Sequence, residues 1–157
     1  MKTIHIVRHA KAEHTQIQTD HSRKLTNTGL LQCASIATQL IKNYLLIDAW
    51  MCSDAIRTME TAQAFAKHYN KPNIIYYPTL YHANATEIAQ HIAAMPATIS
   101  SIILFAHNPG VTNYINSLQL VRIDNMPTCG LVTYTANCVK WIDVANSPKK
   151  FIQFLTS

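Results

Sequence analysis

The positions in this sequence able to do chemistry are two histidines and three arginines. Arg8 and His9 end the run Thr3-Ile4-His5-Ile6-Val7, which is rich in β-branched residues and reads as a short buried strand. His107 follows Ile102-Ile103-Leu104-Phe105-Ala106, the most apolar run of the chain and its expected central strand. A second histidine therefore leaves a strand tip. Arg23 and Arg57 fall in two further polar segments, each beside a regular element. In an open parallel α/β sheet, ligands bind outside the carboxyl ends of the strands, so these groups gather at one edge and suit a small anion held from several sides. Taken alone, Arg8-His9 also reads as a polar surface turn; the recurrence of the pattern separates the two readings.

The elements that must position these groups follow in order. Lys11 to Lys24 is polar, carries His14, Asp20, His21 and Arg23, and is expected as a long loop over the carboxyl edge. Leu25-Thr26-Asn27-Thr28-Gly29 supplies N-cap candidates for a helix whose apolar stripe would be Leu30, Ala34, Ala37, Ile41 and Tyr44. Asp48 to Cys52 reads as a second strand, opening at Ser53-Asp54 into a helix with Met59, Ala62, Ala66 and Tyr69 on its apolar face. Arg57 lies in that helix's first turn, where a cation opposes the macrodipole; a bound anion would remove the conflict, as would an ion pair with Asp54 or Glu60. Asn73 to Tyr77 reads as a third strand, Pro78 to Ala85 as a loop, and Ile88, Ile92 and Met95 mark a third helix. Pro109 suits the first turn of a fourth helix bearing Val111, Tyr114, Ile115 and Leu118. Leu131 to Thr135, Cys138 to Val144 and Phe151 to Leu155 read as three strands, the first two joined by a tight turn at Ala136-Asn137.

The chain has 157 residues, 48% hydrophobic and 13% charged, enough for one domain over residues 1–157 with its own core. Its net charge of +5 comes with scattered lysines and no basic-aromatic interleaving, which weighs against nucleic acid. Cys33, Cys52, Cys129 and Cys138 show no CxxC pair, so free buried thiols in a reducing cytoplasm are expected. No run is long and apolar enough for a signal peptide or a membrane span, and the composition is compatible with a monomer. His5 is expected to pack with a satisfied hydrogen bond, since a strand is the wrong scaffold for a zinc pair with His9. His68 sits near a helix C-terminus. No metal site is expected.

Val7-Arg8-His9-Ala10, Arg23-Lys24-Leu25-Thr26-Asn27-Thr28-Gly29, Cys52 to Ala62 with its Ser-Asp-Ala-Ile-Arg-Thr core, and Ala106-His107-Asn108-Pro109-Gly110 resemble, in order, the motifs of the histidine phosphatase (phosphoglycerate mutase-like) superfamily. Compact length, the Leu80-Tyr81-His82-Ala83 segment and the Met126-Pro127-Thr128 loop make the chain most similar to the SixA-type phosphohistidine phosphatases within it. The resemblance implies a three-layer α/β/α sandwich with a mostly parallel central sheet and an antiparallel edge built by the C-terminal strands. It also implies that His9 is the nucleophile that becomes phosphorylated, that Arg8, Arg57 and His107 bind the phosphoryl group, and that Arg23 extends the pocket. No cofactor or metal is implied, and the partner would be a phosphohistidine-bearing protein of phosphorelay or phosphotransfer type.

The chemistry of the residues agrees with this. Arginine forks neutralise the equatorial oxygens of a phosphoryl group in flight, and adjacent cations keep His9 unprotonated. Two departures stand out. Ala10 replaces the usual glycine of Arg-His-Gly, and Thr79-Leu80-Tyr81-His82-Ala83-Asn84 lacks the carboxylate proton donor of many phosphomonoesterases, with Glu87 placed on the following helix. An alkoxide leaving group needs a general acid, whereas the distal nitrogen of a phosphohistidine ring takes a proton from water near neutrality. A phosphoramidate substrate is thus expected. The alternatives are a small-molecule phosphomonoesterase with His82 as donor, and a non-catalytic phosphate- or phosphoprotein-binding module.

Overall fold

The computed structural model describes residues 1–14 and 16–157; Thr15, within the expected edge loop, lies outside them. Four strands, β1 (Lys2–Arg8), β2 (Ala49–Ser53), β3 (Ile74–Tyr77) and β4 (Ser101–Ala106), run parallel. Two more complete a sheet of order β3-β2-β4-β1-β5-β6: β5 (Leu131–Ala136) pairs antiparallel with β1, and β6 (Lys149–Leu155) antiparallel with β5. Strand β1 is therefore central. It pairs from Thr3 opposite Ser101 to Arg8 opposite Ala106 on one side, and from Lys2 opposite Ala136 to Val7 opposite Leu131 on the other.

The period of two in a strand splits these apolar runs between two cores. Ile4, Ile6, Ile102, Leu104, Val132 and Tyr134 face one side, while Val7, Trp50, Ile103, Phe105 and Leu131 face the other. Helices α1 (Asn27–Ile41) and α2 (Ile56–Ala66) cover the second face, and α3 (Ala85–Ala93) and α4 (Gly110–Ser117) the first. This is the expected three-layer sandwich. The chain steps from β1 out to β2 and β3, then back to β4 between β2 and β1. Right-handed crossovers therefore put α1 and α2 on one face and α3 on the other. The winding reverses where the tips of β1, β4 and β2 stand side by side, which is where such sheets open a crevice.

Several expectations are corrected. Cys138 to Val144 is not a strand, nor is Ala136-Asn137 a tight turn between two strands: Trp141–Asn146 forms a 3-10 turn, and β5 pairs directly with β6, with Ala136 opposite Lys149. Asn137 N donates to Pro148 O at 2.8 Å, so the intervening segment has no place in the ladder. Trp141 and Val144, three residues apart, both turn into the core, as the eclipsed i, i+3 spacing of a 3-10 turn allows. The antiparallel edge thus has two strands.

On α1 the buried face is Gly29, Cys33, Ile36, Ala37 and Leu40, rotated from the expected stripe, and Leu30 and Ala34 are exposed. Gly29 sets that rotation. A Cβ there would lie 2.2 Å from Lys11 O, so only glycine lets the helix start meet the β1 exit. On α2 the buried residues are Arg57, Thr58, Thr61, Ala62 and Phe65, a stripe half polar because it faces the crevice.

His5 is buried as expected, and its Nδ1 meets Thr133 Oγ1 at 2.8 Å. The cysteines are free thiols, three of them buried. Among the described residues, no helix is long and apolar enough to cross a membrane.

Candidate active site

At the carboxyl ends of β1, β2 and β4 lies a cavity of about 360 Å³ whose walls include Arg8, His9, Arg23, Arg57, His82 and His107. All six residues singled out from the sequence are thus brought together. Asp20, Tyr81 and Asn108 join them.

The two ends of β1 pairing hold His9 in place. His9 N donates to Ala106 O at 3.1 Å, and Cys129 N donates to His9 O at 3.0 Å. Its Nδ1 lies 2.8 Å from Ala10 O. A carbonyl only accepts, so Nδ1 carries the proton and Nε2 keeps its lone pair. Burial, and behind it the charges of Arg57, Arg8 and Arg23, push the His9 pKa down to about 4, against the opposing pull of the Ala10 carbonyl. Ala10 substitutes for glycine without strain, because its backbone is not left-handed; its methyl is fully buried and its N donates to Thr61 Oγ1 at 3.0 Å.

Arg8 Nη1 donates to Met126 O at 2.7 Å, a carbonyl that also accepts from Asn108 Nδ2 at 3.0 Å. The Asn after His107 therefore aims the Arg before His9. Arg57 is 5% exposed at the start of α2. Its partner is neither Asp54 nor Glu60 but Asp20: Nη1 donates to the Asp20 carbonyl at 2.7 Å and Nη2 meets Oδ2 at 3.1 Å. Asp54 instead pairs with His21 at 3.1 Å, and Glu60 accepts from Leu25 N at 2.7 Å, tying α2 to the base of the edge loop.

Asp20 is the site residue that the sequence reading passed over. It opens a 3-10 turn, Asp20–Ser22, and its Oδ1 takes Arg23 Nε at 3.1 Å and Nη2 at 3.0 Å. The Tyr81 hydroxyl donates to Oδ2, and this bond, with the charges of Arg57 and Arg23, holds the carboxyl well below the usual range. The signal available in the sequence was the Asp20-x-x-Arg23 spacing, which in a single turn puts acid and base side by side.

His107 leaves β4 with its ring 5.2 Å from that of His9. Its Nε2 lies 2.8 Å from Ser53 Oγ and 3.1 Å from Thr58 Oγ1. Burial, with the nearby His9 and Arg57, pushes its pKa down to about 2. Three buried nitrogens of residues in these walls have no partner among the described residues: Arg8 Nε, Arg57 Nε and His107 Nδ1. Buried polar groups rarely go unpaired, so side chains with such nitrogens lining the same cavity as His9 suit the oxygens of a bound anion.

His82 is exposed and packs on Tyr81 with ring centroids 3.9 Å apart, at the cavity wall. Glu87 stays on its own helix: its Oε2 accepts from Asn84 N at 2.8 Å in a capping box at the start of α3. His14 and His21 remain in the edge loop beside Arg23 and Asp54. Among the described residues, no three His, Cys, Asp or Glu side chains converge in a way that would hold a metal ion.

Residues 4–107 match the histidine phosphatase superfamily (branch 1). No curated protein matches the chain in sequence. Among solved structures, a candidate phosphohistidine phosphatase SixA from Nakamurella multipartitia superposes with a TM-score of 0.84 at 21% identity, over 98% of this chain and 95% of that one. The protein histidine phosphatase SixA complexed with tungstate gives 0.83 at 18%, over 98% and 96%. A mycobacterial glucosyl-3-phosphoglycerate phosphatase gives 0.70 at 12%, over 97% of each chain. At these identities the likeness is one of fold, the phosphoglycerate mutase-like fold of SixA.

Proposed function

Because the chain belongs to the histidine phosphatase superfamily (branch 1), we propose that it is a phosphatase that hydrolyses phosphohistidine on a signalling or phosphotransfer protein through a covalent phosphohistidine intermediate. One observation carries the reading: His9, whose Nε2 keeps its lone pair, lines the same cavity as Arg8, Arg57 and His107, each of which has a buried nitrogen without a partner among the described residues. In the first step the His9 Nε2 lone pair forms a bond to phosphorus while the P–N bond of the substrate breaks. The departing electron pair goes to the substrate ring nitrogen. Arg8, Arg57 and His107 donate to the phosphoryl oxygens, and Arg23 widens the cationic wall. In the second step water attacks the phosphorus as the P–Nε2 bond breaks; the bonding pair returns to His9 Nε2, the water's proton passes to bulk water, and phosphate leaves with His9 again neutral. The arginines supply the charge neutralisation, so the scheme calls for no metal ion and no cofactor.

The choice of a phosphoramidate rests on the loop Thr79 to Asn84. It carries no carboxylate, Glu87 caps its own helix, and Asp20 is ionised and already bonded to two arginines. Among the described residues lining the cavity no other carboxylic acid is left to protonate an alkoxide, whereas an imidazole leaving group is protonated readily near neutrality. A second reading, a small-molecule phosphomonoesterase, draws on His82 at the cavity wall and on the fold shared with the glucosyl-3-phosphoglycerate phosphatase.

The test is phosphate release from a phosphohistidine-bearing protein and from an aryl phosphomonoester, with wild type and His9→Ala, in the presence of a chelator. Release from the phosphoprotein that depends on His9 is expected. Turnover of the monoester alone, lost in His82→Ala, would transfer the assignment to the second reading. Failure to trap phosphate on His9 with either substrate would leave a binding module.

A further inference from the structure

His107 contacts two hydroxyls that the scheme above does not use. Ser53, the last residue of β2, and Thr58, in the first turn of α2, are both fully buried, and both hydroxyl oxygens converge on His107 Nε2, at 2.8 Å and 3.1 Å. A neutral imidazole carries one proton, and the hydroxyls decide on which nitrogen it sits. Ser53 Oγ already accepts from Ala55 N at 3.3 Å. For the protons of the Ser53 and Thr58 hydroxyls, His107 Nε2 is the one acceptor in reach among the described residues. Were Nε2 protonated, both hydroxyl protons would be buried with nothing to bond, and Nδ1 would turn a bare lone pair toward the phosphoryl oxygens. With Nε2 bare, it accepts both hydroxyls in a shared bond, and Nδ1, which has no partner among the described residues, bears the proton.

We propose that Ser53 and Thr58 are positioning residues that fix His107 as its Nδ1–H tautomer, making it a neutral donor to a phosphoryl oxygen. The phosphoryl half of this statement rests on the proposed function; the tautomer does not. His9 carries its proton on the same nitrogen, held there by the Ala10 carbonyl, yet it presents the opposite edge of its ring. One histidine thus offers a lone pair to phosphorus, and the other an N–H to oxygen. Burial and the neighbouring Arg57 keep the His107 ring neutral, so the donor is not replaced by an imidazolium near pH 7.

Long-range proton–nitrogen NMR of histidine-labelled protein at pH 7 reads the tautomer directly, with no substrate present. The wild type is expected to show His107 with its proton on Nδ1. In the double variant Ser53→Ala, Thr58→Val, a mixture of tautomers is expected, with binding of inorganic phosphate about tenfold weaker, as for loss of one hydrogen bond to a charged group. Ser53→Thr and Thr58→Ser, which keep the hydroxyls, are expected to retain both properties. A wild-type His107 protonated on Nε2 would overturn the proposal, and so would a folded double variant that kept a pure Nδ1–H ring. If the double variant does not fold, the wild-type spectrum still decides. A protein with the expected tautomer but no phosphatase activity would refute the proposed function and leave the tautomer assignment standing.

Discussion

Lowering the pH from 7 to 5 should cost this protein much of its stability, because three histidines are buried in the neutral form. Burial pushes His5 down to about 3, His9 to about 4 and His107 to about 2, against 6.5 for the free side chain. Between pH 7 and 5 the unfolded chain gains about 0.7 of a proton at each of these positions, while the folded chain gains almost none. The stabilisation is therefore present above 6.5 and disappears as the pH falls toward the folded values. At pH 5 each such group has given up about 2 kcal/mol, and the three together about 6 kcal/mol, as large as the whole stability of many domains. His91, also lowered by burial, acts in the same sense. Asp20 does too, but only below the ordinary carboxylate range, outside this window. Urea unfolding at pH 7, 6 and 5 measures the loss, and His5→Gln, which touches no site residue, should remove about a third of the pH dependence. An unfolding free energy at pH 5 within about 1 kcal/mol of that at pH 7 would refute the claim that these rings fold without their protons.

Three further outcomes follow from the packing. Gly110→Ala would place a Cβ 2.0 Å from the Ala83 carbonyl, forcing α4 away from the loop that bears Tyr81 and His82; kcat/KM should fall by more than about tenfold with the fold retained by circular dichroism. Phe105→Ala should destabilise by about 3–5 kcal/mol in chemical denaturation, since that ring meets Phe65 edge-on at 5.3 Å and Trp50 at 5.9 Å in the core beneath α1 and α2. Thr133→Val removes the partner of His5 Nδ1 and should cost about 1–3 kcal/mol of stability by the same assay, with phosphatase turnover unchanged.

The strands that carry the site were legible because each is a short apolar run interrupted abruptly by Arg8-His9, Ser53-Asp54 or His107-Asn108. Period-two alternation then assigns Ile102 and Leu104 to one core and Ile103 and Phe105 to the other. The helix faces were harder. On α1 the deciding contact is backbone to backbone, Gly29 against Lys11, and an apolar stripe is silent about that; Leu30 and Leu31 remain in solvent although their chemistry says otherwise. On α2 the buried stripe includes Arg57, Thr58 and Thr61, residues that a search for apolar spacing discards. Trp141 and Val144 looked like strand residues because a segment of that length fits either period, and the direct pairing of β5 with β6 settles it only in three dimensions. Asp20 could be placed in the edge loop but not given a role, because its partners come from three places, with Arg57 on α2 and Tyr81 before α3 both distant in sequence.

The central place of β1 has a consequence for how the protein is made. Its neighbours in the sheet are β4 and β5, so Arg8 and His9 leave the ribosome well before the strands that flank them. Arg8 pairs with Ala106, and at about 5–20 residues per second the intervening chain takes on the order of 5–20 s to synthesise. During that interval β1 is an apolar strand with both edges unsatisfied, a species exposed to aggregation and to capture by chaperones. The histidine pair is consequently assembled late, when β4 slots between β2 and β1, and a truncated nascent chain ending before residue 106 carries His9 without the chemistry around it.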